Sequence, residues 1–225
     1  MSSNYSMPMK LNVWVFQTGE PLHIDGSGVR AMRAINLTDA LIEAGHSVVL
    51  WSTDFDHQRK LHRFNASKTI DVSDRLQVRL LSSPGYQRNI GFGRIYDHFQ
   101  LARLLKQRLR MELNRPDVAF IGYPPIETAA VMSKWLKNRN IPALLDVKDQ
   151  WPSLFLDALP KYLNLFGRVV FYPYFRMAKS TMRNVTGIST MSDSFLNWAI
   201  NFSGRKVSLA DGVFPLTTAV GCIAN

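Results

Sequence analysis

The stretch that decides the fold is residues 11–51, "LNVWVFQTGEPLHIDGSGVRAMRAINLTDALIEAGHSVVLW". Its first six residues are a short apolar run of β-forming side chains, which predicts a strand. Apolar residues then recur at helical spacing over residues 29–44, and Gly45 stands where a helix C-terminal glycine is expected. Residues 47–51, "SVVLW", predict a second strand. Strand, helix and strand in this order are the repeating unit of a parallel sheet.

The same alternation continues along the chain. Further strands are predicted at residues 76–81, 117–123, 142–147 and 185–190, and further helices at residues 93–113, 126–138, 162–183 and 192–202. This pattern predicts an α/β fold with a Rossmann-like, doubly wound parallel sheet. We expect one domain over residues 10–205 after a flexible N-terminus, residues 1–9. Ligands of such sheets bind at the carboxyl ends of the strands.

Composition narrows the class of partner. The 27 Lys and Arg against 17 Asp and Glu give a net charge of +10, which favours an anionic partner. A single cysteine, Cys222, excludes an internal disulfide, and the five histidines lack metal-ligand spacing, so no metal is predicted. No signal peptide or spanning segment is evident, which predicts a cytoplasmic protein. Zinc-finger spacing and a single-strand-binding motif are also lacking, so no nucleic acid is expected.

The glycine-rich loop, "GSGVRA" at residues 26–31, fits the glycine pattern of a dinucleotide-binding turn. Asp54 would supply the acid that such a site needs after the second strand. However, nine residues separate Phe16 from Gly26, whereas the first glycine of a dinucleotide fold turns the chain almost directly off the strand. An anion-binding loop of another α/β family is therefore favoured. A plain surface loop and a dinucleotide site remain as alternatives.

Several motifs together resemble a known family. "LNVWVFQTGEP", "DGSGVRAMRAINLTDALIEAGHSVVLWSTDF", "PDVAFIGYPP" and "LLDVKDQWPSLF" follow one another along the chain. In this order they resemble the N-terminal half of family 4 glycosyltransferases of the GT-B fold, and most of all the bacterial enzymes that build capsule, O-antigen and exopolysaccharide. The paired glycines of the family correspond to Gly26 and Gly28, its following arginine to Arg30, and its "GH.V.V" segment to residues 45–49. The resemblance covers about residues 10–216.

The resemblance implies transfer of a sugar from a nucleotide-sugar donor to a lipid-linked glycan acceptor. GT-B enzymes have two facing Rossmann-like domains, of which the first mainly binds the acceptor and the second mainly binds the nucleotide sugar. The nucleotide sugar is a co-substrate, and no cofactor is implied for this domain. By resemblance, the loop of Gly26, Ser27, Gly28 and Arg30 approaches the donor phosphates and offsets their charge.

A second implied site is "DVKDQWP", residues 146–152, which resembles the "D.RD.WP" signature of the subgroup. Asp149 or Asp146 would orient an acceptor hydroxyl and Lys148 would counter phosphate charge, although arginine is usual where Lys148 stands. The alternative is that Asp146 caps a turn and Asp149 forms a surface pair with Lys148. With the resemblance, Asp149 and Lys148 are predicted to be catalytic. The acceptor-side candidates are His23, Tyr123, Asp146 and Trp151.

Residues 158–192 contain no acid and mix cations with aromatic side chains. The cations are Lys161, Arg168, Arg176, Lys179 and Arg183, and the aromatics are Tyr162, Phe166, Phe171, Tyr172, Tyr174 and Phe175. This composition favours peripheral contact with an anionic membrane, at the inner face of the cell membrane by resemblance. The alternative is a core helix with inward aromatics, and Pro173 interrupts any long amphipathic face.

The donor-binding half of a GT-B enzyme is expected to be missing. Its signature is two glutamates separated by seven residues, and the only glutamates are Glu20, Glu43, Glu112 and Glu127. Residues 206–225 would begin the crossing between the halves and end in a truncated tail. Truncation, a frameshift or a separately encoded C-terminal domain would each explain this, and the 225-residue chain alone is expected to be inactive. Alternative functions are a non-catalytic subunit completing a split glycosyltransferase and a dinucleotide-binding oxidoreductase.

Overall fold

The computed structural model describes residues 9–26, 28–89, 91–154, 160, 162 and 164–215, which form one sheet covered by helices. The strands are β1 (Asn12–Phe16), β2 (Ser47–Thr53), β3 (Phe55–Asp56), β4 (Leu61–His62), β5 (Lys68–Ser73), β6 (Leu76–Leu81), β7 (Val118–Tyr123), β8 (Ala143–Val147), β9 (Gly187–Thr190) and β10 (Gly212–Val213). The helices are α1 (Arg33–Glu43), α2 (Phe92–Met111), α3 (Ile126–Lys137), α4 (Asn164–Val170), α5 (Tyr172–Asn184) and α6 (Asp193–Ser203).

The sheet has the strand order β10-β9-β8-β7-β1-β2-β6-β5, and β3 and β4 form a separate hairpin. Neighbouring strands of the sheet are parallel, and only the edge strand β5 is antiparallel to its neighbour β6. β1 lies between β2 and β7, so the chain winds outward from it in both directions. The predicted Rossmann-like, doubly wound α/β fold is confirmed.

Alternating side chains of β1 supply two cores. Val13 and Val15 pack on the face covered by α1, and Trp14 belongs to the larger core on the opposite face, where α2, α3 and α5 lie. The Trp14 ring stacks on Trp135 of α3 with centroids 5.4 Å apart. Because both faces are covered, the central strand is apolar and buried from Val13 to Phe16, as its sequence indicated.

Two helix predictions were wrong in their bounds. α1 begins at Arg33 and not at residue 29. The predicted helix over residues 162–183 is two helices, because the chain turns at Phe171 and Pro173 lies in the first turn of α5, where a missing N–H costs no helical bond.

Four short strands were not predicted: β3, β4, β5 and β10. β5 is an edge strand in which only Ile70 is partly buried, so its sequence carries little apolar signal. β10 lies in the segment predicted to begin the crossing, and it pairs parallel to β9. The N–H of Phe214 donates to the carbonyl of Thr190 (2.7 Å), so the chain reaches the carboxyl edge of the sheet at this residue. Residues 1–8, Ser27, Lys161 and the tail over residues 216–225 lie outside the described residues.

Candidate functional site

The loop after β1 carries a buried carboxylate to the carboxyl edge of the sheet. Glu20 Oε2 accepts the backbone N–H of Ala34 (2.8 Å) in the first turn of α1. The residue before the helix, Met32, provides no side-chain cap, so Glu20 satisfies one of the free N–H groups at this helix start. Its negative charge is also favourable at the positive end of the helix dipole.

Two ion pairs join this loop to the end of β8. The Lys148 ammonium contacts Glu20 Oε1, and the Arg33 guanidinium contacts Asp146 Oδ1. Lys148 Nζ also lies 3.9 Å from Asp146 Oδ2. The four side chains therefore form an alternating network of two cations and two carboxylates at the point where β8 ends.

Asp146 is fully buried beneath this network. Its Oδ1 also accepts the Ser189 hydroxyl (3.0 Å), while its Oδ2 has no hydrogen-bond partner. Burial raises the pKa of Asp146 above its ordinary value, and the charges of Lys148 and Arg33 offset this only in part. Asp146 is placed to hold Arg33, whose second amino group donates to the carbonyl of Phe214 (2.7 Å).

A cleft of about 230 Å³ opens beside the network. Glu20, Lys148 and Asp149 lie on its lining, together with Pro124 and Pro125 after β7. The remaining lining residues come from the β1 loop, from the end of β2 and its hairpin, and from α2 with the loop before it: Gln17, Thr18, Gly19, Met32, Thr53, Phe55, His57, Tyr86, Arg94, Asp97, His98 and Leu101. The cleft thus lies where parallel α/β sheets bind ligands.

The β3–β4 hairpin fixes the β1 loop. Arg63 donates twice to Asp25, from Nε to Oδ1 (2.5 Å) and from an amino group to Oδ2 (2.7 Å). Burial raises the pKa of Asp25, but the hydrogen bonds from Arg63 and the Leu22 N–H and the charge of Arg63 outweigh it, so the pKa lies below its ordinary value. Asp54 is buried and accepts from His62 (3.1 Å) and the N–H of Phe64 (2.8 Å). Asp54, the acid that a dinucleotide site would need, therefore holds the hairpin from a buried position.

The sequence-predicted residues fall into three groups. Lys148 and Asp149 line the cleft, and Asp146 lies directly beneath. Tyr123 is fully buried, with its hydroxyl donating to the carbonyl of Trp151 (2.5 Å), so its ring offers no face to a sugar in this structure. The Trp151 ring lies 5.2 Å from the guanidinium carbon of Arg94.

The third group lies away from the cleft. His23 Nε2 is 2.8 Å from Asp39 Oδ1 on α1, so its imidazole faces the helix. Gly26 and Gly28 have φ angles of +95° and +93°, in an exposed loop with open space around both. Arg30 is exposed, and the first-turn arginine that reaches a carboxylate is Arg33.

Sequence reasoning missed Glu20 and Arg33. Both lie in motifs quoted for the resemblance, "QTGEP" and "GSGVRAMRA". The late start of α1 explains the second omission, because a helix beginning near residue 29 would have placed Arg30 at its N-terminus. Glu20 caps α1 by accepting the N–H of Ala34, and local spacing rules do not predict a cap from a residue so far before the helix. Within the described residues, no group of three or more His, Cys, Asp or Glu side chains is arranged to hold a metal ion.

No protein-family model and no curated protein sequence matches this chain. Among solved structures, sucrose-phosphate synthase from Thermosynechococcus elongatus matches with a TM-score of 0.52 at 13% identity, over 92% of this chain and 90% of that one. The catalytic domain of starch synthase IV from Arabidopsis thaliana, bound to ADP and acarbose, matches with a TM-score of 0.52 at 11% identity. That match covers 91% of this chain and 52% of the starch synthase chain.

The fold resembles half of a GT-B glycosyltransferase. At such identities the likeness shows the fold, and the chain spans about half of the starch synthase domain. None of the helices in the described residues is both long and apolar enough to cross a membrane.

Proposed function

We propose that this chain is the acceptor-side domain of a glycosyltransferase that transfers a sugar from a nucleotide sugar to a lipid-linked glycan, in the synthesis of capsule, O-antigen or exopolysaccharide. The observation that carries the proposal is the cleft at the carboxyl edge, where Lys148, Glu20 and Asp149 converge on half of a GT-B fold. The sequence resemblance to family 4 enzymes supports the choice of acceptor.

Asp149 and Lys148 take different roles in this proposal. Asp149 is exposed in the cleft lining, and it accepts a hydrogen bond from the acceptor hydroxyl and orients it for attack. Lys148 offsets the negative charge that develops on the departing nucleoside diphosphate. Glu20 positions Lys148, and Asp146 with Arg33 positions the end of β8. The facing half that binds the nucleotide is supplied by the same polypeptide or by another, and the loop of Gly26, Gly28 and Arg30 approaches the donor from this side.

The proposed acceptor is lipid-linked, so we also propose contact with an anionic membrane. Exposed apolar side chains lie at the start of α2, on α4 and at the first residue of α5: Phe92, Tyr96, Phe99, Leu165, Phe166, Val169, Val170 and Tyr172, here termed the α2–α4 surface. The Phe99 ring of α2 meets the Tyr174 ring of α5 edge-on, with ring centres 6.1 Å apart. Exposed Arg168 and Arg176 border it, and apolar groups with cations favour an anionic lipid surface.

Acceptor binding by the 225-residue chain tests the proposed function. A purified lipid-linked glycan in detergent micelles is titrated into isotopically labelled protein, and amide shifts are followed by NMR. We expect shifts at Lys148 and Asp149, and weaker binding in Asp149→Asn. The control Asp74→Asn removes an exposed carboxylate from the β5–β6 turn and should bind as wild type does.

Sugar transfer is then measured with a GT-B donor-binding half added. We expect transfer only when both halves are present, and its loss in Asp149→Asn. Transfer by the 225-residue chain alone, or glycan binding that shifts no residue of the cleft, would overturn the proposal.

A further inference from the structure

The cleft that Lys148 lines is also lined by members of a group of cations and aromatic rings. Lys60 Nζ lies 4.5 Å from the centre of the Tyr86 ring, and the Arg94 guanidinium lies 5.7 Å from the same centre. The Tyr86 hydroxyl is hydrogen-bonded to His57 Nδ1 (2.6 Å), and Lys60 Nζ is 3.3 Å from that nitrogen. Asn89 accepts from both cations, through its side chain from Lys60 (2.6 Å) and its carbonyl from Arg94 (2.9 Å). We term these five residues the Tyr86 cluster.

The cluster has more positive charge than its surroundings neutralise. Throughout the part of the chain that the structure describes, neither Lys60 nor Arg94 has a carboxylate within ion-pair distance. Two neighbouring acids bond to other groups: Asp97 accepts the N–H of Gly85 (2.7 Å), and Asp56 accepts the N–H groups of Gln58 and Arg59. Two neighbouring cations without counter-ions are unfavourable unless an anion joins them.

The cluster also has a buried donor without a hydrogen-bond partner. Arg94 Nε is buried and has no hydrogen-bond partner, which is costly for a charged donor. Three members, His57, Tyr86 and Arg94, line the cleft. Lys60 adopts a φ of +58°, a left-handed backbone that lysine rarely takes, so its side chain is held beside Tyr86 at a conformational cost.

The charge balance agrees with this geometry. Burial, followed by the charges of Lys60 and Arg94, lowers the pKa of His57. Burial, followed by the charge of Arg94, lowers the pKa of Lys60, and the charge of Asp56 opposes this only in part. A bound anion would offset both electrostatic effects, since opposite charge favours the protonated forms.

We propose that the Tyr86 cluster binds a phosphate group of the acceptor, with Arg94 and Lys60 as its charge partners. Arg94 offers planar paired donors and Lys60 a point charge, the two ways in which proteins hold phosphate oxygens. The acceptor phosphate would then lie at the Tyr86 cluster, and the acceptor hydroxyl would lie near Lys148 and Asp149 in the same cleft. This inference rests on the proposed function, because the phosphate belongs to the acceptor.

The test measures binding of inorganic pyrophosphate to the 225-residue chain by calorimetry at low ionic strength. Arg94→Gln and Lys60→Met each remove one cation of the cluster. The matched controls are Arg139→Gln and Lys68→Met, whose cations lie over the rings of Trp135 (4.1 Å) and Phe64 (4.2 Å) outside the cleft. We expect the cluster variants to bind about tenfold more weakly or worse, and the controls to bind as wild type does.

Two further probes separate the sources of the phosphate. Tighter binding of farnesyl diphosphate than of pyrophosphate assigns the site to a lipid-linked acceptor, and tighter binding of glucose 6-phosphate assigns it to a phosphorylated sugar. Equal weakening in cluster and control variants would mean that the net charge of +10 attracts anions non-specifically, and this would overturn the proposal, as would absence of binding. If Arg94→Gln fails to fold, pyrophosphate binding by Lys60→Met tests the proposal in its place.

Failure of this inference is distinguishable from failure of the proposed function. Sugar transfer by Arg94→Gln with an unchanged KM for the acceptor would overturn the phosphate site and leave the function standing. If Arg94→Gln loses pyrophosphate binding but the two halves together transfer no sugar, the phosphate site stands and the proposed function is overturned.

Discussion

The Lys148 ammonium pairs with the Glu20 carboxylate across 128 positions of sequence, and this contact joins the β1 loop to the end of β8. Glu20 is 6% exposed and Lys148 23% exposed at their side chains, so the pair is largely desolvated. Removing one partner of such a pair leaves the other charge buried without compensation. The pair therefore has to be tested by removing each charge alone and both together.

The first prediction concerns Lys148→Met. We expect it to lower the free energy of unfolding by about 2 kcal/mol, because Glu20 keeps its charge without the ammonium. Glu20→Gln combined with Lys148→Met should recover part of that loss. Urea denaturation compares Lys148→Met, Glu20→Gln and the double variant with wild type. Lys106→Met, which removes an exposed cation of α2, is the control and should change stability by less than about 0.5 kcal/mol. Additive single and double effects would contradict the pairing.

The second prediction is a pH dependence set by Asp25. Its pKa is lower in the folded protein than in the unfolded chain, so its contribution to stability is present above pH of about 4 and is lost as pH falls through the folded pKa. Asp25→Asn should therefore be less stable than wild type at neutral pH, and its free energy of unfolding should fall less steeply in acid. Denaturation series at several pH values measure this. Asp74→Asn should keep the wild-type slope, and an unchanged slope in Asp25→Asn would contradict the prediction.

The third prediction compares two glycines with similar backbones. Gly85 and Gly19 have φ angles of +74° and +77°, so alanine is strained at either position. A Cβ at Gly85 would lie 2.7 Å from the Phe55 ring, whereas nothing lies within 4 Å at Gly19. We expect Gly19→Ala to cost about 1 kcal/mol and Gly85→Ala roughly 1–3 kcal/mol more, from steric overlap. Equal costs in thermal and chemical unfolding would show that Phe55 moves away freely.

The fourth prediction isolates the backbone strain at Lys60. Lys60→Ala and Lys60→Gly lose the same side-chain contacts, but only glycine adopts a φ of +58° without strain. We expect Lys60→Gly to be more stable than Lys60→Ala by about 1 kcal/mol. Arg59, whose φ is not positive, serves as the control, and there glycine should be less stable than alanine. The same order of glycine and alanine at both positions would argue against strain at Lys60.

The sequence predicted the sheet and one wall of the cleft because both follow from local patterns. The apolar run of β1 and the motif around Lys148 and Asp149 lie at strand ends, and parallel strands bring those ends to one edge. The part of the cleft lining formed by the Tyr86 cluster depends on contacts that local patterns do not encode. Tyr86 lies in a loop before α2, and Lys60 is in a hairpin turn whose strands are two residues long. Glu20 caps α1 from a distance in sequence, and the start of α1 four residues later than predicted places Arg33, and not Arg30, in the first turn of the helix.

The fifth prediction concerns the α2–α4 surface. Phe166 and Val169 are 66% and 69% exposed, and replacing both with serine removes apolar area that would enter a lipid surface. We expect the double variant to sediment with anionic vesicles about tenfold more weakly than wild type, because two partly inserted side chains are lost. Binding of wild type should also weaken with added salt, since the bordering cations are screened. Val207→Ser with Leu209→Ser removes an exposed apolar pair from the α6–β10 loop and should leave binding unchanged. If both double variants bind vesicles equally, the α2–α4 surface is not the membrane contact. If wild type binds neutral vesicles as strongly as anionic ones, the electrostatic part of the proposal is contradicted.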